Sequence, residues 1–190
     1  MKVIAFDRTP DSPLDMPVGA DIMPDSAIIK DAKPFFLPPL SDNWDYYICP
    51  AFRVSRLGKN IGPRFAPRYI DAVTAAVITR PVDAIDRWSG LSAGLLNIYE
   101  GAVIIGDWQP LDILTPDTSI TIDTPDTTTF KIGSAYDEAC ALLAATAAIG
   151  TIKIGDILIP SRRLFARNLP LGTLLTATAA STPLLTLKIR

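Results

Sequence analysis

The sequence predicts a β-dominated α+β fold with two main helices. Short β-branched and threonine-rich runs recur between proline, glycine and aspartate breakers. Only two segments carry helical patterning, and the strands do not alternate regularly with helices, which argues against a doubly wound parallel sheet. The 190 residues are read as one domain spanning 1–190. A chain of this length buries roughly 70% of the surface its unfolded form exposes, so it needs neither disulfides nor a metal to fold.

Residues 1–6 alternate loosely and read as a first strand. Four prolines and five aspartates make residues 7–25 a loop. Residues 27–29 are a short strand candidate, and 34–40, with Phe35 and Phe36 among prolines, read as extended. Residues 44–57 (WDYYICPAFRVSRL) are aromatic and β-branched, which suits a strand. Pro50 inside that strand implies an edge, a bulge or a break. GKNIG at 58–62 reads as a turn. Pro67 then starts a predicted helix over 68–78, because Ile70, Val73, Val77 and Ile78 form a helical stripe. That helix should yield before Pro81.

Residues 88–96 carry no clear pattern, and 99–108 read as a strand. Residues 119–123 and 128–132 are threonine-rich strands, with hairpin chemistry in Thr124, Pro125 and Asp126 between them. Residues 134–148 give the clearest helix: Ser134 or Asp137 caps it, alanines propagate it and Gly150 ends it. A strand is expected over 152–159 around Gly155 and Asp156, and closing strands over 174–178 and 184–190.

Composition narrows the chemistry. The chain has no histidine, and Glu100 and Glu138 are its only glutamates. Ser-His-Asp triads, Cys-His dyads, histidine-ligated zinc and a histidine pH switch are therefore excluded. A net charge of −2 argues against nucleic-acid or membrane-surface binding. Cys49 and Cys140 make no CxxC motif and read as buried thiols of a reducing compartment. The start of the chain lacks a signal-peptide core, and the longest uncharged stretch, 168–187, is broken by Pro170, Gly172 and Pro183. A soluble, cytoplasmic protein is expected.

Three charged clusters stand out. Arg53, Arg56, Lys59, Arg64 and Arg68 lie among Phe52, Phe65 and Tyr69, either as an anion patch or as a solvated edge paired with an acid. Asp117, Asp123 and Asp126 could cap turns or hold a cation, without the spacing of a calcium loop. Arg162, Arg163 and Arg167 suit a phosphate or carboxylate, or a solvated loop. GxGxxG, GxxxxGK[ST] and GxSxG are absent.

The order of several segments resembles the fumarylacetoacetate hydrolase family, as a divergent bacterial member. Pro24-Asp25-Ser26-Ala27-Ile28 is similar to its "KPDSAI" segment, and Pro34-Phe35-Phe36-Leu37-Pro38 to the strand that follows. RVSRLGKNI at 53–61 and Phe65-Ala66-Pro67-Arg68-Tyr69-Ile70-Asp71 resemble its next strand ending and its "FAxRYYD" stretch. Tyr136-Asp137-Glu138 with Gly155-Asp156-Ile157-Leu158 resembles "SFDE…GDLI". The resemblance implies the family's mixed β-sandwich roll. It also implies magnesium- or manganese-dependent cleavage or rearrangement of 2-oxo and 1,3-dicarbonyl acids, with the metal on an "ExE" strand pair and a later aspartate.

Carried over position by position, that machinery is missing. The family's "HYExE" falls on Asp45-Tyr46-Tyr47-Ile48-Cys49, so Tyr47 and Cys49 stand at the glutamate ligands. Ile78 stands at the aspartate ligand, Met23 at one lysine and Asn97 near another, and Pro160-Ser161-Arg162-Arg163 replaces a "TGTP" turn. The resemblance thus implies a catalytically degenerate binding or assembly subunit without a cofactor. Such a subunit would pair with itself or with an active paralogue. Two other readings stay open: an enzyme with a site rebuilt on Asp45 and Asp42, and a metal-free binder of small carboxylates around Lys59, Arg162 and Arg163.

Overall fold

The computed structural model describes residues 1–190 except 8–18, 31–32, 89–92, 124–126, 163, 170 and 173. Its first strands are β1 (Lys2–Phe6), β2 (Ala20–Pro24), β3 (Ile28–Lys30), β4 (Trp44–Val54) and β5 (Ile70–Pro81). A short helix, α1 (Val82–Arg87), precedes β6 (Val103–Ile105), β7 (Gln109–Pro110), β8 (Ser119–Asp123) and β9 (Thr128–Lys131). Helix α2 (Ala135–Ile149) leads to β10 (Ile157–Ile159), β11 (Leu164–Ala166), β12 (Leu174–Ala179) and β13 (Thr182–Lys188).

Nine strands form one sheet in the order β2-β1-β10-β4-β5-β6-β3, with β11 beside β4 and β7 beside β5. The two ends of that order, β2 and β3, are joined in sequence by a single 3₁₀ turn, Asp25–Ala27. A three-residue link cannot span a flat sheet of this width, since strands lie about 4.8 Å apart. The sheet therefore curls until its edges approach. Its interior face gathers side chains from β1, β2, β4, β5, β6 and β10. Small residues recur there, including Ala5, Cys49, Ala51, Ala76 and Ala102, which lets the curl close tightly.

The outer face of β4, carrying Trp44, Tyr46, Ile48, Phe52 and Val54, packs in the larger core with α2 and the second sheet, β13-β12-β8-β9. Gly106 lies at the seam between the sheets: a Cβ there would stand 1.9 Å from the Leu184 carbonyl oxygen. Among the described residues, no helix is long and apolar enough to cross a membrane.

The helix expected over 68–78 does not form. A 3₁₀ turn, Pro63–Tyr69, runs into β5 instead. The apparent helical stripe belongs to a strand buried on both faces: residues 72–79 are all buried, so alternation is lost. The first true helix, α1, starts just after Pro81, where the expected one was to end. The strand expected over 152–159 shortens to β10, and Ile152 instead bridges Gly58. The expected 7–25 loop contains β2 at its end.

Helix α2 matches expectation, although the Ser134 hydroxyl at its N-cap donates to Glu138 Oε1 (3.0 Å) and accepts no backbone N–H of the first turn. Strands β8 and β9 also match, and the turn at 124–126 lies outside the described residues. Pro50 falls where β4 has no strand partner on one side. There, β11 pairs with Tyr46, Tyr47 and Ile48, and β10 pairs with Phe52 and Arg53. The missing N–H thus sits at a break in the ladder.

Asp156, fully buried, fastens the parallel pair β1–β10. It pairs with Lys2 Nζ and accepts from the backbone N–H groups of Lys2 (3.1 Å) and Lys153 (2.9 Å). Asp156→Ala leaves these donors without their acceptor and is expected to cost about 3 kcal/mol. Urea denaturation of the two proteins measures the difference.

Candidate functional site

The register of β4 and β5 assembles the site. Tyr47 lies directly opposite Ile78, and Cys49 opposite Ala76. Odd-numbered residues of β4 face the interior, so Tyr47 and Cys49 share one face with Ile78. Cys49, Ile78 and Met23 are buried in the same apolar cluster, and half-buried Tyr47 packs against it. Asp45 continues this face outward, opposite Arg80. Asn97 ends the 3₁₀ turn Ala93–Asn97 and lines the cleft outside. Of the six positions that the resemblance singled out, Ile78 and Asn97 line the cleft at the mouth of the curled sheet, Asp45 and Tyr47 share the face of β4 that leads to it, and Cys49 and Met23 are buried in the interior.

The cleft at this mouth has a volume of about 500 Å³. Its wall carries Asp7, Asp21, Ile78, Arg80, Asn97 and Arg162, with Asp86 and Trp88 also lining it. Arg162 dominates. Its guanidinium lies 5.1 Å from the centroid of the Tyr47 ring, a cation–π contact. Its Nη2 pairs with Asp21 on β2, and its Nη1 lies 3.7 Å from Asp7 after β1. The other face of the mouth is held by Phe165, whose ring centroid is 5.0 Å from that of Tyr47, and by Arg80 Nη1, which donates to the Tyr47 hydroxyl (3.3 Å).

The segment bearing Arg162 is fixed from behind. Ser161, fully buried, donates to Glu138 Oε2 (3.1 Å) on α2. Arg162 and Asn97 nevertheless each leave one buried donor without a hydrogen-bond partner among the described residues, Nε and Nδ2 respectively.

The other candidates fall elsewhere. Lys59 is exposed in the turn after β4, beside the end of α2, where Asn60 N–H donates to the Ala147 carbonyl (2.8 Å), and it does not line the cleft. Arg163 lies outside the described residues. Arg53 makes a two-pronged pair with Asp71 (2.9 and 3.0 Å), while Arg64 and Arg68 lie over the Phe65 ring. Asp117 pairs with Lys131 and Asp123 accepts from Thr127, so both serve their hairpin. Asp126 lies outside the described residues. Asp42 donates its N–H to Asp83 (2.8 Å), in the cap of α1. Burial pushes the Cys140 thiol up to about 11, which leaves it un-ionised and inert.

Among the described residues no group of three or more Asp, Glu, Cys or His could hold a metal ion. Sequence reasoning missed Asp7, Asp21, Arg80 and Asp86. Strand register and the placement of α1 after β5 bring them together, and no local pattern marks them.

No protein-family model matches the sequence, and no curated protein sequence matches it. Solved structures do. A 5-carboxymethyl-2-hydroxymuconate delta-isomerase from Mycobacterium smegmatis superposes with a TM-score of 0.79 at 19% identity, covering 99% of this chain and 78% of that one. A fumarylpyruvate hydrolase from Pseudomonas aeruginosa, in complex with Mn²⁺ and pyruvate, gives 0.81 at 12% identity, covering 100% and 89%. A fumarylacetoacetate hydrolase family protein from Yersinia pestis gives 0.82 at 14% identity, covering 100% and 92%. The fold is that of the fumarylacetoacetate hydrolase family. It confirms the expected β-dominated α+β roll and its two main helices.

One wall of the cleft depends on a capping network. Asp83, in α1, accepts from Asn43 Nδ2 (2.9 Å), Ser41 Oγ (2.9 Å) and the backbone N–H groups of Asn43 (3.0 Å) and Asp42 (2.8 Å). The Asn43 and Ser41 side chains and these N–H groups hold its carboxyl at about 2, below the usual carboxylate range. This contribution to stability is complete above about pH 4 and is lost as pH falls through about 2. Asp83→Asn is expected to flatten the acid limb of the stability profile over that window, measured by denaturation midpoints at stepped pH.

Proposed function

We propose that this chain is a fumarylacetoacetate-hydrolase-fold protein without metal-dependent catalysis, kept as a binding subunit. One observation carries the reading: a pinned guanidinium, that of Arg162, lies over Tyr47 at the mouth of an interior walled by Cys49 and Ile78. The family resemblance puts the metal's carboxylate ligands at those last three positions. Magnesium and manganese need several hard oxygen ligands. A phenol, a buried thiol and a hydrocarbon supply no carboxylate, and apolar Ile78 fills the space that a ligand would span. Arg162 adds a fixed positive charge that repels a second cation. Asp21 and Asp7, the nearest acids, are already paired with it. The residues present therefore do not fit the metal that the fold family implies.

A rebuilt enzyme on Asp45 and Asp42 gains no support from the geometry. Asp45 faces Arg80 across the strands, and Asp42 belongs to the α1 cap. As a subunit, the chain would pair with a second copy or with a catalytically active paralogue.

Manganese titration followed by electron paramagnetic resonance tests the reading. The expected result is no stoichiometric site up to about 1 mM Mn²⁺, a concentration that corresponds to only about 4 kcal/mol of binding free energy. It comes with no turnover of oxaloacetate or an acylpyruvate when Mg²⁺ or Mn²⁺ is added. One tightly held ion per chain, or metal-dependent turnover, would overturn it.

A further inference from the structure

We infer that the end of the fold opposite the cleft docks on an anionic lipid bilayer surface. Leu57, Ile149 and Ile154 enter the headgroup region, and Arg56, Lys59, Arg64 and Lys153 meet the lipid charges. What the cleft binds has no bearing on this surface. Three aliphatic side chains stand well clear of the protein there: Ile149 is 90% exposed, Ile154 67% and Leu57 64%. Single exposed aliphatics are ordinary on a protein surface, but a group of them rimmed by charge marks an interaction site.

Backbone hydrogen bonds gather the three. Gly58 and Ile152 each donate an N–H to the other's carbonyl (3.0 and 2.9 Å). The Asn60 N–H donates to Ala147 in the last turn of α2 (2.8 Å), and the Gly155 N–H donates to Val54 at the end of β4 (2.8 Å). The turn after β4 is thereby laced to the end of α2 and to the loop before β10. Ile152 is fully buried at its bridge with Gly58, so Leu57, Lys59, Thr151 and Lys153, which flank that pair, face outward. Ile154 takes the corner of the next turn, closed by the Asp156 N–H on the Lys153 carbonyl (3.0 Å), with Gly155 at φ 84°. Ile149 is the last residue of α2.

The same segments carry charge of one sign. Residues 54–70 hold Arg56, Lys59, Arg64 and Arg68, and residues 139–155 hold Lys153, with no aspartate or glutamate in either stretch. Arg56, Lys59, Arg64 and Lys153 are exposed, and among the described residues none of them pairs with an acid. The acids beside them are already engaged: Asp156 is buried with Lys2, and Asp71 holds Arg53. The net charge of −2 averages over the whole chain and hides this end. Unpaired bases around projecting aliphatics suit a surface that is anionic outside and apolar just beneath. Nucleic acid suits it less, since stacking needs free aromatic faces and the Phe65 ring already lies under Arg64 and Arg68. A protein partner needs a hollow for each projecting side chain, whereas a fluid acyl boundary takes them in any arrangement. Strand β4 separates this end from Tyr47 by roughly 25 Å, so docking leaves the cleft facing solution.

Flotation of the full chain with vesicles tests the docking, using phosphatidylcholine alone and phosphatidylcholine with roughly 30% phosphatidylserine. The expected result is at least about tenfold tighter binding to the phosphatidylserine vesicles, falling at least about fivefold between about 0.1 and 0.5 M NaCl. Lys59→Glu combined with Lys153→Glu should weaken it about tenfold. Leu57→Gln combined with Ile149→Gln should also weaken it about tenfold, at an unchanged melting temperature because both side chains are exposed. No binding to either vesicle, equal binding to both, or undiminished binding by either double variant would each overturn the inference. Capture by a single-stranded oligonucleotide that phosphatidylserine vesicles do not displace would overturn it in favour of a nucleic-acid surface. A dimer in sedimentation velocity that Leu57→Gln with Ile149→Gln converts to monomer would overturn it in favour of a contact between copies.

Discussion

The three-residue connection between β2 and β3 constrains the whole molecule. These strands end opposite sides of the large sheet, yet one 3₁₀ turn joins them. The sheet must curl, and a curled sheet must fill its own interior. Ala27, inside the turn itself, is fully buried in that interior. Side chains there are limited by the radius of the curl, which explains the alanines on β1, β4 and β5 facing one another across it. The outer face meets a different demand, because α2 and the second sheet stand off at helix and sheet packing distances. It therefore uses Trp44, Tyr46, Ile48 and Phe52.

That same curl decides where chemistry can occur. Polar side chains within the interior would need partners that an apolar cluster does not offer. Cys49, Ile78 and Met23 accordingly make the inner wall part of the core, and charge is confined to the mouth. There the acids come from β1–β2 and α1, and the bases from β5 and the segment after β10. Arg162 links these elements across 141 residues of sequence from Asp21. The mouth is thus where the fold closes and where the charges of its walls gather.

Local pattern was enough to read α2, β8 and β9, because alanine-rich helix and threonine-rich hairpin carry their own signals. It failed for β5. A central strand covered on both faces shows no alternation, and its valines and isoleucines fell by chance on a helical stripe. The strands of the β12–β13 hairpin were legible too, over 174–178 and 184–190, and only their turn was hidden, since it uses Ala180 and Ser181 at positive φ (47° and 69°) where glycine or asparagine would have announced it. At the site, the resemblance located Tyr47, Cys49, Ile78, Met23 and Asn97 on the chain. It could not give Arg80, Asp7 or Asp21, whose roles arise from strand register and from a side chain arriving from 141 positions away. Lys59 was grouped with Arg162 on charge alone, and the length of β4 separates them.

The placement of Arg162 argues for a charge fixed in position more than for a free one. Ser161 is tied to Glu138 behind it, Tyr47 lies under its plane, and Asp21 and Asp7 engage its terminal nitrogens. A guanidinium held on so many sides has already lost most of its rotamer freedom on folding, so ordering it again for a ligand costs little. Its charge is also balanced before any ligand arrives, which removes the long-range pull an isolated arginine would exert on every passing anion.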